Sequence, residues 1–254
     1  MKTIKTKIFF ANILCTFYIK HYHIFPKIFR PTIDSIIFPK KPNRNYDLYI
    51  SLGNNCTSAT TLKRLNLRTF SFPFDWLWGV PLTRNLEWIL ADFKGFLEYD
   101  DLFFPNKIEK PNIHHQNVKN TKTGTYFIHD FLTDSRDEFQ LIKNKYDRRC
   151  SRLLQMCKDK NILFLYTEHD NDGVNYLSLA NAIHEQLVCV KEKLCAKSVT
   201  LILLSQANQK EDKIYVIEQQ KCRLYLYKSI NTKPNNTIDR SLLALQLKEI
   251  LKLI

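Results

Sequence analysis

The sequence predicts an α/β fold, a mostly parallel central sheet with helices on both faces. Two observations carry this expectation. Short, uniformly apolar runs such as "NILFLYTE" and "VTLILLSQ" read as strands buried on both sides. They alternate with longer segments whose apolar residues recur at helical spacing. The composition agrees: 44% hydrophobic and 25% charged residues are ordinary for a globular chain and exclude disorder throughout. A chain of 254 residues is long enough to bury a substantial core.

The elements follow in order. "FPKIFRPTIDSIIFPKKPNRN" holds Pro26, Pro31, Pro39 and Pro42, which block a continuous helix. Residues 1–45 are therefore an extension and linker, and residues 46–254 form one α/β domain of catalytic type. "DLYISLG" is a buried strand. From Cys56, apolar Ala59, Leu62, Leu65 and Leu67 mark a helix. "FSFPFDWLWGVP" is aromatic and turn-rich. "PLTRNLEWILADFKGFL" reads as a helix with Leu82, Leu86, Ile89, Leu90 and Phe93 on one face. "DLFFPNKIEKPNIHHQNVKNTKTG" reads mostly as loop and "TYFIHDF" as a strand. A long helix then opens with Asp134 as N-cap and Asp137 and Glu138 in its first turns. "GVNYLSLANAIHEQLVCVKEKLC" is a further helix. "KIYVIEQ" and "CRLYLYKSI" are further strands, and an amphipathic helix closes the chain.

Five glycines, with no GxGxxG and no GxxxxGK[ST], argue against a glycine-rich phosphate loop, and no cofactor is implied. The net charge of +13 favours anionic partners, but the lysines are scattered and no aromatic-basic RNA motif stands out. Specific nucleic-acid binding is not expected. Seven cysteines without a CxxC pair fit neither a zinc site nor a full disulfide framework. The reducing cytoplasm is the simplest compartment. The apolar run from Ile8 to Ile19 is too short to span a bilayer comfortably. Residues 1–30, basic with interleaved aromatics, are suited to peripheral contact with a membrane surface.

The chemistry centres on Cys56, which stands where a strand turns into a helix. A thiol in the first helical turn meets unpaired backbone N–H groups and the positive end of the helix dipole, which favour the reactive thiolate. Those N–H groups, with the side chain of Asn54 or Asn55, form a candidate oxyanion site. The alternative is a small core residue, as buried cysteines usually are. A cysteine nucleophile needs a base, usually His. His129 alternates with Phe127 and Phe131 along its strand. In a regular strand it shares their face and Asp130 points the other way. His169, in "YTEHDND", follows a strand end and is the second candidate. His114 and His115 are adjacent but lack a third spaced ligand, so no metal site is expected. Asp75, set among aromatics in "PFDW", either orients the His or caps a turn. Arg148 and Arg152 lie one helical turn apart and either clamp an anionic group or form a solvated face.

These residues also form a recognisable pattern. "YISLGNNCTSATTLKRLNLRTFSFPFDWL" resembles the opening signature of a bacterial family named for papain-like cysteine peptidases. The matching positions are Ser51, Leu52, Gly53, Cys56, Pro73, Phe74, Asp75 and Trp76. "FIHDF" resembles the family's His-containing segment, and the likeness covers Tyr46 to Glu168. The resemblance implies a thiol hydrolase or acyl transferase with Cys56 as nucleophile and His129 as base. Asp75 or Asp130 would be the orienter and Asn55 would lie near the oxyanion. It also implies an alternative fold, α+β, with the cysteine helix against an antiparallel sheet. The substrate would be peptide-like or glycan-linked. A glycan-modifying enzyme that relies on Arg148 and Arg152, and a binding module with Cys56 in its core, are the competing readings.

Overall fold

The computed structural model describes residues 46–105, 116–168, 176–207, 213–230 and 240–251. The extension and linker at 1–45, His114, His115 and His169 lie outside them.

The central sheet has five strands in the order β1-β6-β7-β9-β8. These are β1 (Leu48–Ser51), β6 (Asn161–Thr167), β7 (Ser198–Ala207), β9 (Cys222–Ile230) and β8 (Lys213–Gln219). The first four run parallel, and β8 joins the edge antiparallel to β9. The apolar sequences of β1, β6 and β7 follow from burial on both faces. On one face, Tyr49, Leu163, Leu165, Ile202 and Leu204 pack with Leu62 and Leu65 and with Leu243 and Leu247. Those partners come from helix α1 (Cys56–Arg64) with the residue after it, and from α5 (Arg240–Leu251). On the other face, Ile50, Phe164, Leu201 and Leu224 meet α2 (Leu82–Leu90), α3 (Arg136–Met156) and α4 (Ala180–Lys193). The mostly parallel sheet covered on both sides is the expected α/β architecture.

A second sheet is the unexpected part. It is antiparallel, in the order β2-β5-β4-β3. Its strands are β2 (Leu77–Trp78), β3 (Leu102–Phe103), β4 (Gln116–Asn120) and β5 (Tyr126–Phe131). The segments read as turn-rich and as loop therefore contribute three strands. This sheet supplies an α+β component, although α1 itself packs on β1 and β6 of the parallel sheet. Val118, Phe127 and Phe131 of the small sheet enter the same core as Phe164 and Leu201 of the large one.

Two expected helix ends move. The helix begun at Leu82 stops at Leu90, and Asp92 and Phe93 follow in the left-handed region, with φ of 54° and 57°. The Phe93 N–H donates back to the Trp88 carbonyl at 2.9 Å, closing the helix. Phe93 and Phe96 then fold against Phe74. The long helix α3 is capped by Ser135 rather than Asp134. Ser135 Oγ accepts from the Glu138 N–H at 3.1 Å, and Glu138 reaches back to the N–H groups of Leu132 and Thr133.

Candidate active site

Three of the four residues between β1 and α1 shape the turn. Gly53 has φ +83°, and a Cβ there would lie 2.8 Å from the Phe74 carbonyl oxygen. Only glycine fits both conditions without strain. Asn54, φ +72°, is buried, and its carbonyl accepts from the Gly79 N–H at 3.3 Å. Asn55 is extended and is the N-cap: its Oδ1 accepts from the Thr57 N–H at 2.7 Å. Cys56 is thus the first residue of α1, at the carboxyl end of β1, and half-buried. Beneath the turn, Ser58 Oγ pairs with Thr167 Oγ1 at 3.0 Å, tying α1 to the end of β6.

The other cysteines differ in setting. Burial pushes the thiols of Cys150 and Cys157 up to about 12 and that of Cys222 up to about 11. At neutral pH these three are protonated and inert. Cys189 and Cys195 are exposed.

Asp75 is fully buried. Its Oδ2 accepts from Arg68 Nε at 3.0 Å, Arg68 Nη2 at 2.5 Å and the Phe72 N–H at 3.0 Å. Burial raises the carboxyl above the ordinary aspartate value, opposed by Arg68 and the Phe72 N–H. Asp75 Oδ1 and Arg149 Nη1 are buried and have no hydrogen-bond partner among the described residues. The Arg68 guanidinium also lies 5.5 Å from the centre of the Trp76 ring, a cation–π contact. Trp76 in turn meets the His129 imidazole edge to face, 6.3 Å between centres and 85° between planes. Asp75 and His129 are therefore joined through Arg68 and Trp76. Neither Arg68 nor this ring contact is legible from residue spacing; "RTFSFPFDW" places the arginine seven residues before Asp75, with no fixed helical or strand period between them.

His129 stands where strand β5 is irregular. Gln116 pairs with Phe131 and Val118 with Phe127, so β5 takes four steps where β4 takes two. The bulge overturns simple alternation. His129 is exposed. Asp130, its side chain 5% exposed, turns toward α3, where Tyr146 Oη donates to it at 2.7 Å and Lys145 pairs with it. Tyr146 also packs on Phe127, so Asp130 shares the side that a regular strand would have given His129. Asp130 pushes the Tyr146 phenol further up after burial has already raised it.

The two arginines of α3 do not form a matched clamp. Arg152 Nη1 donates to the Ser71 carbonyl at 2.7 Å and its guanidinium covers Phe70. Arg148 is exposed, and it is Arg149 between them whose charge reaches Asp75 and Tyr146. Among the described residues, no three His, Cys, Asp or Glu side chains gather as a metal site, and no helix is long and apolar enough to cross a membrane.

Cys56 thus heads a helix at the end of a parallel strand and is half-buried, and His129 is exposed on the antiparallel sheet. Comparison with known proteins gives the family. The chain belongs to the family described as "Putative papain-like cysteine peptidase (DUF1796)", which it matches over residues 47–207. It is also similar to "Uncharacterized protein R408" of Acanthamoeba polyphaga mimivirus, with 31% identity over 140 residues, 49% of this chain and 63% of that protein. That relative is viral, so the bacterial source expected from the signature is not supported by it. The chain therefore spans under two thirds of that relative's length. No solved structure matches.

Proposed function

We propose that the protein is a cysteine-dependent hydrolase or acyl transferase acting on an amide or ester, with Cys56 as nucleophile and His129 as base. The observation that supports this most is the position of Cys56: first residue of a capped helix, at a strand end, inside the family match. The Cys56 thiolate attacks the substrate carbonyl carbon. The negative charge that forms on the oxygen is met by N–H groups of the first turn and by Asn55 Nδ2, since Asn55 Oδ1 is committed to the cap. The C–N or C–O bond breaks as protonated His129 gives its proton to the leaving group. Water then attacks the thioester and passes a proton to His129, the C–S bond breaks, and the thiolate returns.

Asp75 serves as a positioning residue in this scheme. It fixes Arg68, which covers one part of the Trp76 ring, and Trp76 borders His129. The test is labelling with a thiol-directed peptidyl acyloxymethyl ketone followed by peptide mass mapping. Preferential modification of Cys56 over exposed Cys189 and Cys195 is expected. Equal labelling of all three overturns the reading.

A further inference from the structure

The outer face of the small sheet carries a row of side chains that the catalytic scheme does not use. The register places Phe103 opposite Lys119, Lys119 opposite Tyr126, and Tyr126 opposite Trp78. Their neighbours Leu77, Phe127 and Val118 face the core, so these four face outward. Phe103 and Trp78, at the two ends, are 56% and 43% exposed. Between them the Lys119 ammonium sits over the Tyr126 ring, 5.4 Å from its centre, and Trp78 leans on Tyr126 with 5.6 Å between centres. Gly79 has φ +81°, and a Cβ there would lie 3.3 Å from the Tyr126 ring. Its N–H bonds the Asn54 carbonyl, so the row abuts the turn that carries Cys56.

We infer that this row is a docking platform for an extended acidic peptide whose pattern is apolar, any residue, acidic, any residue, apolar. Three strand spacings separate Phe103 from Trp78, about 14 Å. In an extended peptide, side chains on one face recur every second residue, and the first and fifth lie roughly 13–14 Å apart. An apolar first and fifth residue thus meet Phe103 and Trp78, and an acidic third residue meets the Lys119 ammonium at the centre. The net charge of +13 favours the same sign of partner. A single-stranded nucleic acid fits less well, since it carries a phosphate at every unit and this row offers one cation. The role of the platform in substrate selection rests on the thiol-hydrolase reading, whereas binding itself does not require turnover.

The test is fluorescence anisotropy with the full chain carrying Cys56→Ala. The probe is a fluorescein-labelled, capped pentapeptide with phenylalanine at both ends, glutamate in the centre and alanine between. Binding is expected. It should weaken about tenfold when the glutamate is moved by one place, and similarly with Lys119→Glu, which should then prefer the central-lysine peptide. Trp78→Ala and Phe103→Ala should weaken both peptides alike, with unchanged circular dichroism. Equal affinity of the wild-type row for glutamate and lysine peptides, or no effect of Lys119→Glu, overturns the proposal. So does binding of oligo-dT or oligogalacturonate with the peptide silent. Peptide binding as described, with Cys56 failing to label, would sink the hydrolase reading and leave the platform standing.

Discussion

The Arg68–Asp75 pair is the part of the site whose energetics are easiest to reach. Both side chains are largely buried, and Asp75 accepts two hydrogen bonds from the one guanidinium. Burial raises the Asp75 carboxyl and Arg68 opposes the rise. A carboxyl raised on folding favours the folded state most below the ordinary carboxylate range. That contribution fades as pH climbs through the raised value. Arg68→Ala removes the main opposing charge, so the rise grows and the loss of stability with increasing pH steepens. We expect Arg68→Ala to cost about 3–5 kcal/mol at neutral pH, and less at an acidic pH where the carboxyl is protonated. Urea unfolding at the two pH values reads this directly. An equal cost at both would show that the charge on Asp75 is not what Arg68 compensates.

At the scale of the element, the turn between β1 and α1 depends on Gly53. Gly53→Ala meets both a left-handed backbone and the Phe74 carbonyl at 2.8 Å. The backbone conformation alone should cost about 1–3 kcal/mol, visible as a lowered melting temperature. A melting temperature equal to wild type would mean that the turn is not held as described. The strands β1, β6 and β7 are legible because burial on both faces makes their centres apolar, and β9 because buried Cys222, Leu224 and Leu226 alternate with half-buried Arg223 and Tyr225. The strands β2 and β3 are two residues each, too short for any period. In β4, Val118 faces the core between polar neighbours, so "QNVKN" reads as loop. Cys56, Asn55 and Asp75 are legible from local chemistry. The bulge that turns His129 outward and Asp130 inward is not, because it arises from pairing with β4 and no local residue pattern announces it.

At the scale of the molecule, the two sheets share one core. Phe127 and Phe131 of the small sheet pack in the same cluster as Phe164, Leu201 and Leu224 of the large one. Trp78 lies in the small sheet, Trp76 in the turn just before it, and Trp88 on α2. Tryptophan fluorescence in the Trp88→Phe variant therefore reports on the small sheet and its turn, and far-ultraviolet circular dichroism on the whole. A shared core predicts coincident urea transitions by the two probes. A fluorescence transition that clearly precedes the loss of circular dichroism would show that the small sheet unfolds alone. Such separation would also weaken the idea that it presents His129 in a fixed place.

The proposed mechanism requires Cys56 and His129 to act as one unit. The most direct measurement is the rate of Cys56 modification by the peptidyl ketone across pH, in the wild type and in His129→Ala, with Cys189 and Cys195 as internal references. Cys56 should react faster than both references in the wild type, and this advantage should be lost in His129→Ala. A Cys56 rate profile identical in the two proteins, or no faster than the exposed cysteines in either, would contradict it.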